Sequence, residues 1–290
     1  MTTTSQTSGG FWYRHPRLRL AALLAAPMFW LVVVYLGSLA ALFVTAFWTV
    51  DDFTGQVIRT FTTKNFVNLF TNVGYLQTVL RTVGIALAVT IVAALIAVPL
   101  AFWMARIARP RWRPLLVALI LTPLWASYLV KVYAWRAMLE PGNGVVSWIL
   151  APFGDVGSPG FGTLAIIITL TYLWLPYMIL PVYAGLERLP NSLVDASADL
   201  GAKPGRTFRS VIVPIIFPAI IAGSIFTFSL SLGDYITAQI VGGTTTMLGN
   251  VVQQTYVTNL PFAAAVATLP VVVILLYLFA VRRTGALENV

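Results

Sequence analysis

Six long apolar runs leave this chain few ways to fold. They extend from Leu20 to about Trp48, Leu76 to Ala105, Leu115 to Met138, Thr163 to Leu186, Val211 to Ile240 and Pro261 to Val281. Each exceeds the roughly 20 residues that carry an α-helix across about 30 Å of hydrocarbon. Only 9% of the residues are charged and 59% are hydrophobic, whereas soluble domains carry about 25% charged residues. One aqueous core cannot hide that much apolar surface, so the bilayer must serve as part of the solvent. The expected fold is an all-α membrane protein with six transmembrane helices, and no repeat or separate soluble domain is evident.

The first run follows Arg14, Arg17 and Arg19, as a secretory signal would. It is far longer than the roughly 7–15 apolar residues of a signal and ends in no small-residue cleavage site, so it reads as a retained first helix. Residues 1–19 then form a basic tail whose Ser/Thr/Gly-rich start reads as disordered. Residues 20–281 form one transmembrane domain and 282–290 a second tail.

Lys and Arg orient these spans. With the amino terminus inside, the inner segments hold 13 of the 18 positive residues: Arg14, Arg17, Arg19, Arg106, Arg109, Arg111, Arg113, Arg188, Lys203, Arg206, Arg209, Arg282 and Arg283. Arg59, Lys64, Arg81, Lys131 and Arg136 remain outside, which predicts both termini in the cytoplasm. The net charge of +9 is spread thinly between apolar runs; it reads as positive inner loops rather than a nucleic-acid surface. There is no cysteine and one histidine, His15, which excludes thiolate chemistry and a histidine metal cluster.

The connection between the fourth and fifth spans, about 187–210, carries the clearest pattern. Pro190 ends one helix, and Asn191 or Ser192 can cap the next, with Ser192 and Asp195 spaced like a capping box. Ala196, Ala198 and Leu200 favour helix, and Gly201 suits the left-handed position past its end. Pro204-Gly205 marks a turn before a further helix begins near Phe208. A short helix held rigidly between two spans can transmit force; an ordinary loop has the same local signals.

The residues Asp195-Ala196-Ser197, Gly201 six positions after the acid, and Val211-x-Val213-Pro214 resemble the EAA loop of ABC-importer permeases. Asp195 stands where the family usually has glutamate, and Ser197 where it has a second alanine. Thr171–Tyr183, Leu248–Val252 and Pro261–Ala265 look like the spermidine/putrescine-type permeases, with similarity over most of the chain from the second span onward. The resemblance implies a MetI-like permease architecture in a bacterial inner membrane. It also implies that the loop docks in a groove of an ATP-binding subunit through Asp195, Ala196, Ser197 and Gly201, with Pro214 closing the motif. Phe208 is either an apolar anchor for that partner or buried against its own helices. Implied partners are a second permease (a heterodimer by resemblance), two ATP-binding subunits and an extracytoplasmic substrate-binding protein. ATP and magnesium would be bound by the ATP-binding subunits.

The chain itself lacks a phosphate-cradling Gly-x-x-x-x-Gly-Lys-Ser/Thr loop: Lys64, Lys131 and Lys203 precede Asn65, Val132 and Pro204. It reads as a non-enzyme that relies on an external motor. An ion-coupled carrier would place ionisable groups near the midplane, and Asp234 alone is conspicuous there. Relatives of this kind also handle opines or aminophosphonates. A polyamine route should offer carboxylates and aromatic faces; Asp234-Tyr235 supplies both, and Trp174 and Tyr177 share a helix face. Asp234 is expected to face a cavity or water, lining that route or reaching the outer interface. Prolines in every span either kink helices that rock or are simply tolerated.

Overall fold

The computed structural model describes residues 16–51, 53–153 and 158–282. Residues 1–15 with Arg14 and His15, Asp52, Asp155, and 283–290 with Arg283 lie outside the described residues. In chain order the helices are α1 (Ala22–Thr45), α2 (Lys64–Thr71), α3 (Val73–Ile107), α4 (Pro110–Trp125), α5 (Tyr128–Met138), α6 (Val145–Leu150), α7 (Thr163–Arg188), α8 (Asn191–Asp199), α9 (Pro204–Leu232), α10 (Ile236–Val241), α11 (Leu248–Thr255) and α12 (Leu260–Arg282). Five of these, α1, α3, α7, α9 and α12, are each long and apolar enough to cross a membrane.

Two of the six runs are not the single continuous helices expected. The third is broken: α4 and α5 meet at 93° across Ala126 and Ser127, and make the sixth span only as a bent pair. Pro123 lies in the last turn of α4, and Ala126 is extended with ψ 144°. Proline supplies no N–H to the ladder, so the Leu119 carbonyl loses its partner and the last turn is weakened. The fifth run ends at Leu232, with the short α10 beyond it. Hydropathy registers neither break, because it records transfer to lipid and not direction. The fold is also not purely helical, since β1 (Thr49–Val50) pairs antiparallel with β2 (Val57–Ile58). In that hairpin the N–H groups of Thr54 and Phe53 donate to the Asp51 carboxylate at 2.8 and 2.9 Å, holding its carboxyl below the usual range.

α3, α7 and α9 pack mutually to form the core. Ala93, Ala97, Ala101 and Ala105 recur every four residues along α3 and are buried with Met178, Ile179, Val182 and Leu186 of α7. Four-residue spacing puts these methyls on one helix face. Gly185 of α7 lies so near α9 that a Cβ there would sit 2.8 Å from that of Ala219. Small residues allow such approach, and dispersion between the helices then holds them, since lipid supplies no hydrophobic drive. Towards the other end, Ile85 and Val89 of α3 join Ile166, Leu170 and Leu173 of α7, Val132 of α5 and Val241 of α10. α1 is loosely attached: none of its apolar window is buried, and it meets α12 through its last part, Gly37–Thr45, where Leu42 packs with the buried Ala264 and Ala265.

A Cβ on Gly223 would lie 2.8 Å from Met178 Sδ and 3.0 Å from Met178 Cα. Gly223→Val is therefore expected to push α7 from α9, costing about 1–3 kcal/mol and lowering the melting temperature of the detergent-solubilised protein. Gly37→Ala, where nothing lies within 4 Å, should leave it unchanged or slightly raised.

Candidate functional site

α7 ends at Arg188, and the chain passes through extended Leu189 and Pro190 before α8 begins. The residue before a proline is forced out of the helical region, which makes a sharp elbow. The expected capping box does not form: α8 starts without a side-chain cap. Asn191 instead turns its side-chain oxygen to Arg106 of α3. At the other end of α8 the expected glycine cap is present. Gly201 has φ +77°; its N–H donates to Ala198 O at 2.8 Å, and the Ala202 N–H to Ser197 O at 3.1 Å. This paired pattern satisfies the last carbonyls of a helix. Ser197 Oγ and Thr207 Oγ1, 2.9 Å apart, then tie α8 to the first turn of α9.

Only Val194 and Ser197 of α8 are partly covered. Asp195 and Ala196 are exposed, and so are Leu193 (43%) and Leu200 (88%). Phe208 points into its own chain, packing edge-on against Phe102 with centroids 5.4 Å apart. Leu200 is thus the exposed apolar group that sequence reasoning passed over, having treated it only as a helix former. Its place immediately before the terminating glycine was the available signal. Pro214 lines a cavity of about 600 Å³ between α7 and α9, with Pro181, Arg188, Pro190 and Pro218 also on its wall.

A second cluster forms where α9 breaks. Asp234 lies beyond the helix end, 8% exposed, so the single chain does not open it to water as expected. Its Oδ1 accepts the Thr237 N–H at 2.8 Å, which starts α10. Its Oδ2 accepts the hydroxyl of Tyr128, and the Tyr128 oxygen lies 2.7 Å from Thr237 Oγ1. Tyr128 stacks on Trp174 at 6.0 Å, and Trp174 meets Tyr177 at 5.9 Å. The structure thus joins three of the expected residues into a row, Tyr177, Trp174, Tyr128 and Asp234, through a tyrosine that sequence reasoning missed. Tyr235 does not join it. It is 37% exposed and lines a separate cleft of about 350 Å³ with Gly249, Gln253 and Pro270. Among the described residues, the buried Trp174 Nε1, Thr171 Oγ1 and Ser231 Oγ have no hydrogen-bond partner, leaving polar atoms inside the bundle free to take one.

Residues 97–284 match the family described as "Binding-protein-dependent transport system inner membrane component". The chain is 44% identical to the inner membrane ABC transporter permease protein YdcU of Escherichia coli (strain K12), over 98% of this chain and 95% of that one. It is 36% identical to the spermidine/putrescine transport system permease protein PotB of Haemophilus influenzae, over 79% and 81%. Among solved structures, a bacterial ABC transporter involved in importing the acidic polysaccharide alginate has a chain of similar fold. The TM-score is 0.70 at 16% identity, with 94% of this chain and 98% of that one covered. A chain of the inward-facing MetNI methionine transporter matches with TM-score 0.57 at 19% identity, covering 72% of this chain and 93% of that one.

No heavy atom lies within 4 Å of a Cβ built on Gly201, so a substitution there acts through backbone conformation alone. Gly201→Val should cost about 1–2 kcal/mol or more for the left-handed φ and speed amide exchange over residues 196–202 while global melting stays put. Gly201→Asn, which tolerates that region better, should be milder.

Proposed function

The chain belongs to the binding-protein-dependent transport system inner membrane component family, and from that premise we propose that this ABC-importer permease subunit carries polyamines of the spermidine and putrescine type, driven by ATP hydrolysis on a partner. The observation that carries the coupling half is α8: capped by Gly201, tied to α9, and turning Leu193, Asp195, Ala196 and Leu200 outward. An exposed apolar side chain at the end of a short rigid helix suits insertion into a groove of a second protein. The carboxylate of Asp195 beside it adds a charged contact.

In this reading the α8 end of the molecule faces the cytoplasm, and both termini lie there. Two ATP-binding subunits hold ATP and magnesium beneath this chain and a second, homologous permease. A substrate-binding protein delivers cargo from the opposite side. Closure of the motor pulls α8, which drags α7 and α9 with it and reshapes the cavity walled by Pro181, Pro190, Pro214 and Pro218.

The substrate half rests on the spermidine/putrescine relative and on the row ending at Asp234. A polyamine carries ammonium groups separated by methylenes. Faces of Tyr177, Trp174 and Tyr128 attract such cations, and the Asp234 carboxylate supplies the opposite charge. When the spans rock apart, an ammonium that replaces the Tyr128 hydroxyl would exchange a neutral donor for a charged one at the same oxygen.

Copurification and labelling test this together. The tagged permease should retain an ATP-binding subunit, and Leu200→Asp should lower the amount retained about tenfold; undiminished retention would overturn the docking face. Because the chain has no cysteine, Asp195→Cys can be labelled in intact and opened cells. Reaction in intact cells with a membrane-impermeant maleimide would reverse the orientation. Asp234→Asn keeps the shape of the side chain but removes its charge, and is expected to cut spermidine uptake about tenfold while the protein remains in the membrane. Normal uptake would remove Asp234 from the route.

A further inference from the structure

The elbow between α7 and α8 is mechanically weak by its own chemistry. The last carbonyls of a helix have no intrahelical donors, and Pro190 supplies no N–H to the joint. Force applied to α8 would bend such an elbow unless something braced it. Among the described residues, the bracing side chain is Arg106, half-buried in the π-helical last turn of α3 (Trp103–Ile107). Its Nη2–H donates to Leu186 O in the last turn of α7, at 2.7 Å, and to Leu189 O in the elbow. Its Nη1–H donates to Asn191 Oδ1, on the first residue of α8. One guanidinium therefore spans the end of α7, the elbow and the start of α8. A planar fork of five donors fits three divergent acceptors; a lysine ammonium on a flexible stem does not hold them in one geometry.

We propose that Arg106 is a positioning residue that clamps α8 to α3, so that displacement of the coupling helix reaches the second span as well as the two spans joined to it by the chain. The far end of α8 already has its tie, Ser197 to Thr207, and that tie reaches only α9. Without Arg106, α3 is linked to the loop by apolar packing alone, which lets surfaces slide. With it, a push on α8 moves α3, α7 and α9 together, the three helices of the core. Residue 106 lies in that wide π turn, and such turns are frequent at functional sites.

The transport part of this inference rests on the ABC-importer reading, while the clamp itself does not. The test accordingly has two arms. In the full-length permease alone, Arg106→Ala should speed amide exchange across 191–199 about tenfold, the scale of one lost charge-assisted hydrogen bond, with global melting retained. Arg106→Lys should recover part of the protection, and Arg106→Ala with Asn191→Ala should be no worse than Arg106→Ala. Unchanged exchange would overturn the clamp. In the reconstituted transporter, Arg106→Ala should lower solute moved per ATP hydrolysed about tenfold, with the ATP-binding subunit still bound; an unchanged ratio would overturn the transmission. Should the unaltered chain fail to hold any ATP-binding subunit, the importer reading falls, and the exchange arm still decides whether Arg106 braces the elbow.

Discussion

Close contact between helix backbones in hydrocarbon holds this molecule together. Apolar side chains gain nothing by leaving lipid for one another, so attraction between spans comes from dispersion at short range. The alanine stripe of α3 at Ala93, Ala97, Ala101 and Ala105, with Gly185 and Gly223 at the α7–α9 crossing, makes that range accessible. Both candidate sites are attached to this three-helix core. α8 caps the end where α7 and α9 are joined, and Asp234 lies where α9 stops. α1, by contrast, has none of its apolar window buried and leaves that surface to lipid or to another chain.

Asp234 and Arg106 both act where helices break. Asp234 is neither a charge on a lipid-facing helix nor a free carboxylate; it ends one helix region and starts another, with Tyr128 and Thr237 as partners. A break inside a bundle costs backbone hydrogen bonds unless side chains or a cavity satisfy them. The Asp234 carboxylate does this for α10, and the guanidinium of Arg106 does it for the end of α7. In the proposed function, the same groups that make irregular backbone tolerable sit where a solute or a partner acts. In the importer reading, this places a rigid handle at one end and an aromatic row at the other, joined by the packed helices α3, α7 and α9.

Much of this was readable from residues alone. The six runs correspond to the five long apolar helices and the bent α4–α5 pair, and the loop between the fourth and fifth emerges as a short helix closed by Gly201 with its positive φ. Trp174 and Tyr177 share a face because three positions make most of a helical turn. Other features were hidden. The capping pair of Ser192 and Asp195 is matched by spacing but not formed, because Asn191 starts the helix and points its side chain to Arg106. Phe208, an open alternative in sequence, packs on Phe102. Tyr128, 106 positions from Asp234, carries no local mark that would join it to that carboxylate.

The order of residues alone determines that this chain belongs in a bilayer, which segments are apolar enough to cross it and where the short helix between the fourth and fifth runs lies. These follow from transfer free energy and backbone preference, which act over a few neighbouring residues. Only the folded structure decided that the third run bends by 93°, that Asp234 is buried while Tyr235 faces elsewhere, and that Arg106 grips a loop 85 positions away. Directions and partners of that sort depend on how separate helices settle against each other, and no short window of sequence contains that information.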